Sequence, residues 1–242
     1  MSEASERHVE WEGCFNARDL GGLPTTDGRH TRWGAVVRAD SLEGLTAAGW
    51  AALGEHGIRT VIDLRNADER GRDAAPRPAS LTTIHAPLDG SDDREFWTRW
   101  NGGPQFGTQL YYLPHLDRFP ERNAAVIAAI ARADPGGVVF HCVGGRDRSG
   151  QVAMLVLALA GVAAEHIAAD YALSADRLRA RYAAHGKEDQ GPVLDAFLTD
   201  KGTTAPELIV DMLASLNIEA PLRADGLTGQ DIAALRTRLV SP

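Results

Sequence analysis

This 242-residue chain predicts an α/β fold, with a mostly parallel central sheet flanked by helices. Three observations lead there. Short apolar, β-branched runs alternate with helical patterns, an order that buries a parallel sheet between helices. The run at 138–140 (VVF) passes through a glycine-containing loop straight into the apolar stretch QVAMLVLALA, which reads as a buried helix closed by Gly161. Hydrophobic residues make up 44% of the chain and charged residues 24%, the balance of a globular protein long enough for one large core.

Residues 1–10 read as a polar tail and residues 11–242 as a single domain. In NARDLGG, residues 16–22, Asn16, Arg18 and Asp19 ahead of paired glycines read as a turn laced by side-chain hydrogen bonds. Asp27-Gly28 marks a hairpin before a strand at 35–38. Thr46 caps a helix running to His56 and stopped by Gly57, and IRTVIDL at 58–64 is the next strand. Asn66 and Glu69 then form a capping box. A third strand at 82–88 runs into DGSDD, followed by Phe96, Trp97, Trp100 and the breaker Gly-Gly-Pro. We read residues 89–120 as an inserted helical flap, able to cover a site and exclude water. An amphipathic helix at 121–133 and the turn DPGG lead into the 138–140 strand. Beyond Gly161 the pattern is helical at 165–173, 175–184, 193–198, from Thr204 (with Glu207 as capping partner) and after Thr228.

The loop at 141–150, HCVGGRDRSG, carries the chemistry. A strand turning directly into a helix points the helix's unpaired N–H groups at the loop, and Gly144 and Gly145 let successive amides converge on one point. The result is an anion cradle. Cys142 stands at its entrance, where the positive field favours thiolate over thiol. Arg148, six residues on, can return to the same point. A structural cysteine would need neither the glycine pair nor the arginines. Arginine is also unfavourable in a helix's first turn unless an anion is present.

A cysteine, five residues and then Arg-Ser, preceded by His141, resembles the signature of the cysteine-dependent tyrosine and dual-specificity phosphatases. HCVGGRDRSG is similar in particular to the HCxAGKDRTG form of the bacterial tyrosine/serine protein phosphatase family, which includes mycobacterial enzymes active on phosphotyrosine, phosphoserine/threonine and phosphoinositides. NARDLGG resembles that family's NFRDLGG, with Ala17 in place of phenylalanine. The resemblance implies a protein tyrosine phosphatase-like fold and a phosphomonoesterase that uses no metal and no cofactor. Cys142 would be the nucleophile, forming a phosphocysteine, and Arg148 the phosphate clamp. Ser149 would donate to the departing sulfur, with helix capping as its alternative role, and His141 would brace the loop. Asp147 matches the family's in-loop aspartate and is the preferred general acid, ahead of Asp89 and then Asp92 and Asp93 on the flap. Val143, Gly144, Gly145, Arg146, Asp89 and Arg65 are the substrate-binding candidates, although Arg65 also suits pairing with an acidic neighbour. Arg146 stands where lysine is usual and Gly144 where alanine is usual. Arg146 keeps a positive charge for a second phosphate or an acidic flanking residue.

The net charge of −8 argues against nucleic acid or an anionic membrane as partner, so attraction for a phosphorylated protein or small phosphomonoester must be local. Cys14 and Cys142 make neither a disulfide framework nor a zinc pair. The N-terminus lacks a signal-peptide core and the longest apolar run is too short to cross a bilayer, so a cytoplasmic protein without membrane insertion is expected. Three alternatives stand beside the protein phosphatase: the same chemistry on a phosphoinositide, nucleotide or sugar phosphate, a catalytically quiet phosphate-binding module, and a rhodanese-like sulfur carrier.

Overall fold

The computed structural model describes residues 7–215 and 217–241. Five strands, β1 (Arg18–Asp19), β2 (Val36–Ala39), β3 (Ile58–Asp63), β4 (Thr82–His85) and β5 (Gly137–His141), make one sheet in the order β1-β2-β5-β3-β4. β2, β5, β3 and β4 are parallel, and only β1 runs antiparallel, against β2. The central strands are apolar at successive positions because both faces of the sheet are covered. Side chains alternate between two cores: Val36, Ile62, Val138 and Phe140 enter the larger, and Val37, Val61 and Val139 the smaller.

In chain order the helices are α1 (Ala47–Glu55), α2 (Arg94–Trp100), α3 (Tyr112–Arg118), α4 (Pro120–Arg132), α5 (Asp147–Leu159) and α6 (Ala164–Ala172). They continue with α7 (Ser174–Ala184), α8 (Gly191–Asp200), α9 (Ala205–Ser215), α10 (Glu219–Ala224) and α11 (Gly229–Leu239). The larger core lies under α4, α5, α6, α9 and α11. Trp50 and Leu53 of α1 close the smaller one with Trp11 and Leu42. Among the described residues no helix is long and apolar enough to cross a membrane.

Several expected signals sit where they were read. The Thr46 side chain accepts from Gly49 N at 3.1 Å, and Gly57 turns the chain with φ +92°. Thr204 and Glu207 close the start of α9. Others differ. β4 stops at His85 rather than Leu88, because Pro87 has no N–H for the ladder, although Ala86 N and Leu88 N still reach Asp63 O and Leu64 O. The Asn66–Glu69 box opens only a single 3₁₀ turn at 67–69. Arg18 and Asp19, read as part of a turn, instead form the edge strand against Val37 and Arg38. Of the polar stretch 1–10, residues 1–6 lie outside the described residues, while Arg7 is buried against Asp170.

Between β4 and α4 the chain forms α2, two 3₁₀ turns at 104–107 and 109–111, and α3. These pieces cohere through aromatic edge contacts: Phe96 meets Trp97 at 4.9 Å and Phe119 at 5.2 Å between ring centroids, and Phe106 stacks on Tyr111 at 6.0 Å.

Candidate active site

The register of the sheet decides what surrounds the loop after β5. Ala39, His141 and Asp63 are level with one another at the carboxyl ends of β2, β5 and β3. Ser41, Arg65 and the 141–147 loop therefore emerge together, where ligands collect in parallel sheets.

Every carbonyl from Val143 to Asp147 is tied from behind. Val143 O accepts from Ser41 N at 3.1 Å, Gly144 O from Asn16 Nδ2 at 3.0 Å and Asp147 O from Tyr112 OH at 2.8 Å. Gly145 O and Arg146 O both accept from the Arg38 guanidinium, at 2.8 and 3.2 Å. In a planar trans peptide the N–H of the next residue points opposite to each carbonyl, so holding the carbonyls back turns the amides of residues 144–148 forward. Gly145, at φ +67°, is needed for this path, since a Cβ there would stand 2.7 Å from Asp40 N and 2.8 Å from Ala39 O. Gly144 is not: a Cβ would only touch Leu178 at 3.6 Å, so the family's alanine would fit.

The frame behind the loop is charged and dry. Arg18 donates to Asp170 and, through NH1, to Asn16 Oδ1 at 2.8 Å; Arg38 NH1 donates to Asp170 Oδ2 at 2.8 Å and Arg7 NH1 to Oδ1 at 2.7 Å. Burial opposes ionisation of Asp170, yet the three guanidinium groups hold its carboxyl well below the usual range. Burial and the neighbouring Arg38 push Arg18 down to about 10, still charged at neutral pH. Three positive charges facing one carboxylate leave a positive surplus directly behind the cradle, in surroundings where charge is poorly screened.

In front, Cys142 Sγ accepts from Gly145 N at 3.2 Å and from Ser149 Oγ at 3.3 Å. Ser149 lies inside the first turn of α5, whose cap position is Arg146, so it does not cap the helix. His141 is fully buried, with Nδ1 3.3 Å from Cys142 O and Nε2 3.8 Å from Asp63. Burial pushes its imidazole down to about 4, so it is neutral at pH 7 and suited to bracing the loop. Arg148 is gripped by two carboxylates that sequence reading did not connect to it. Its NH2 donates to Glu69 Oε1 at 2.6 Å, while NH1 reaches both Glu69 Oε2 and, at 3.1 Å, Asp89 Oδ2. Among the described residues Nε has no hydrogen bond, which leaves that edge of the fork for a ligand.

The aspartates sort themselves by surroundings. Asp93 caps α2 through Phe96 N and pairs with Arg118, and Asp92 is exposed beside Arg122; neither lines the cleft. Asp89 and Asp147 do line it. Burial pushes Asp89 up to about 6 against the pull of Arg148, with Glu69 and Asp147 adding to the rise. Both oxygens of Asp147 accept from Arg146, at 3.0 and 3.3 Å. Lysine could not make this two-point pair, so it is a direct consequence of arginine at position 146.

The cleft over the loop measures about 790 Å³ and is walled by Val143, Gly144, Arg146 and Arg148 on one side, and by Trp97, Phe106 and Tyr111 of the segment between β4 and α4 on another. Arg181, Tyr182 and the short segment around Lys187 close its far side, and the sequence offers none of these as a site residue. Arg181 is anchored to Asp40, which also takes the amides of Phe15 and Asn16. Arg65 is not part of this wall. Its guanidinium is taken up by Asp63, Glu43 and Ser41, the acidic pairing that the sequence offered as its alternative role.

Comparison with known proteins agrees with this architecture. The chain is 33% identical over 176 residues to a Cupriavidus necator protein provisionally named as a tyrosine-protein phosphatase, covering 71% of this chain and 64% of the relative. It is 34% identical over 146 residues to a tyrosine-protein phosphatase of Nostoc commune, covering 60% of this chain and 49% of the relative. It is 31% identical over 204 residues to the triple specificity protein phosphatase PtpB of Mycobacterium tuberculosis, covering 71% of this chain and 72% of the relative. The matched stretch thus spans less than two thirds of the first two relatives' own length. A family profile described as tyrosine phosphatase family matches residues 9–241, nearly the whole chain, and with the loop, its frame and its parallel sheet in place the chain belongs to the tyrosine phosphatase family.

Proposed function

We propose that this chain is a cysteine-dependent phosphomonoesterase that hydrolyses phosphotyrosine, and phosphoserine/threonine beside it, through a phosphocysteine. The observation that carries the reading is the Cys142 sulfur, which receives hydrogen bonds from Gly145 N and Ser149 Oγ inside a loop with its amides turned forward. The two donors point at the sulfur and orient it toward the cradle, with the positive frame behind the loop. The thiolate attacks phosphorus in line, an S–P bond forms, and the P–O bond to the leaving group breaks. Arg148 and the loop amides take the charge on the three equatorial oxygens.

The leaving oxygen needs a proton, and Asp89 is the better placed donor. Its pKa of about 6 leaves a protonated fraction near neutrality, and a bound phosphate dianion raises that fraction further. Asp147, the in-loop candidate, would have to give up its two-point pair with Arg146 to carry a proton. In the second step Asp89, now a carboxylate, takes a proton from the attacking water while the sulfur departs toward Ser149. The aromatic flap wall suits a phosphoaryl group. Action on a small molecule with a second anionic group is the other reading, favoured by Arg181 and Lys187 on the cleft wall.

The test is hydrolysis of an aryl phosphate with and without chelator and vanadate, beside Cys142→Ser. We expect activity that survives chelation, is blocked by vanadate and vanishes in the variant. Activity that needs a metal or survives Cys142→Ser would refute the mechanism. Phosphopeptides, phosphoinositides and nucleotides tested side by side then separate the two substrate readings.

A further inference from the structure

Asn66 sits where the two carboxylates that hold Arg148 meet. Its backbone N–H donates to Glu69 Oε2 at 2.9 Å, and its side-chain Nδ2 donates to Asp89 Oδ2 at 3.1 Å. The same two oxygens, Glu69 Oε2 and Asp89 Oδ2, are the ones that Arg148 NH1 reaches. One residue therefore ties the 67–69 turn to the segment that follows β4, with the guanidinium between them.

We infer that Asn66 is a positioning residue for Asp89: its carboxamide fixes the carboxyl against Arg148 and sets how readily it holds a proton. A helix-capping role alone does not account for this, because the Asn66 side chain reaches across to another element rather than only to the turn it begins. The flap holds Asp89 from the other side, where Trp97 Nε1 donates to Asp89 O at 3.1 Å and to Gly90 O at 3.2 Å. With the backbone pinned there, the Asn66 amide is the one neutral donor to the carboxyl among the described residues. The charged and titratable groups facing Asp89 are Arg148 and Asp147 from α5, Glu69 from the 67–69 turn, and Tyr111 and His115 from the flap. An amide N–H bonded to a carboxylate favours its charged form. Losing the donor makes Asp89 hold its proton to higher pH. Replacing the donor with a like charge does so more strongly.

The kinetic consequence rests on Asp89 being the proton donor, and the experiment separates the two claims. Asn66→Ala and the near-isosteric Asn66→Asp are made in Cys142→Ser protein, and the Asp89 carboxyl is titrated by ¹³C NMR, assigned by its absence in Asp89→Asn. We expect its midpoint to rise in the alanine variant and by roughly one pH unit or more in the aspartate variant. A midpoint unchanged in folded Asn66→Asp overturns the inference, whatever the catalytic role of Asp89. In catalytically intact protein the alkaline limb of kcat for an alkyl phosphate should move up in the same order. A midpoint that moves with a limb that does not would leave Asn66 as the positioning residue and remove Asp89 as the donor.

Discussion

The loop at 141–147 has two sides built on opposite principles. Behind it, Arg7, Arg18, Arg38 and Asp170 are almost wholly buried, and Arg38, held by Asp170, donates to two loop carbonyls, so this side acts on shape. In front, along the cleft, Glu69 and Asp89 pair with Arg148 and Asp147 pairs with Arg146, so this side acts on protons and charge. The difference teaches that a cradle of forward amides is made by what grips the carbonyls, not by the glycines alone. It also divides mutational effects: changes behind should cost stability and activity together, and changes in front should cost activity alone.

The largest effect should come from behind. Asp170→Ala strands three buried guanidinium groups, and removing one partner of a buried ionic cluster costs about 3–5 kcal/mol. Denaturant unfolding should show that loss, with activity falling alongside; a stable, inactive variant would erase the distinction between the two sides. Next is Asp89→Asn in front, expected to lower kcat for an alkyl phosphate by roughly 10²-fold, the usual scale for a general acid, while the unfolding midpoint holds. A proton donor must be protonated, so wild-type activity on such substrates should decline as pH rises through and above about 6, and the variant should lose that limb. If Asp147→Asn, not Asp89→Asn, removes the limb and steepens the dependence on leaving-group pKa, the acid lies inside the loop.

A paired substitution sharpens the comparison further. Gly145→Ala drives a Cβ into the backbone of Ala39 and Asp40 at a positive φ, and should destabilise by about 2 kcal/mol or more. Gly144→Ala meets only Leu178 and should stay within about 0.5 kcal/mol of wild type with activity retained. Equal effects at the two positions would contradict the carbonyl frame described above. The smallest effect on substrate binding is expected of Arg65→Lys, which loses the two-point pair with buried Asp63 away from the cleft and should cost stability with KM unchanged; a changed KM with unchanged stability would return it to the substrate wall.

The front was more legible in the sequence than the back. Cys142, Arg148 and Ser149 are close in the chain, so the strand-to-helix turn alone brings them together. The sheet read well for the same reason: β-branched runs at 58–64 and 138–140 signal strands locally. Asp170 sits 152 residues from Arg18 in an alanine-rich helix, and nothing local marks it as the anion for three arginines. Glu69 was visible as the capping partner of Asn66, and that bond exists, but a local rule could not show that the same carboxylate takes Arg148 from 79 residues away. Arg38 read as a strand residue. That its side chain holds two loop carbonyls follows from β2 lying beside β5, a non-local fact.

The central claim is that the Cys142 sulfur becomes bonded to phosphorus. It is tested most directly by mixing enzyme with a ³²P-labelled aryl phosphate, quenching with acid within milliseconds and mapping the label. The account predicts stoichiometric label on the peptide containing Cys142, stable to acid, absent from Cys142→Ser and increased in Ser149→Ala, where the sulfur leaves without its hydrogen bond. Label on another residue, or turnover with no labelled enzyme at any time, would contradict it.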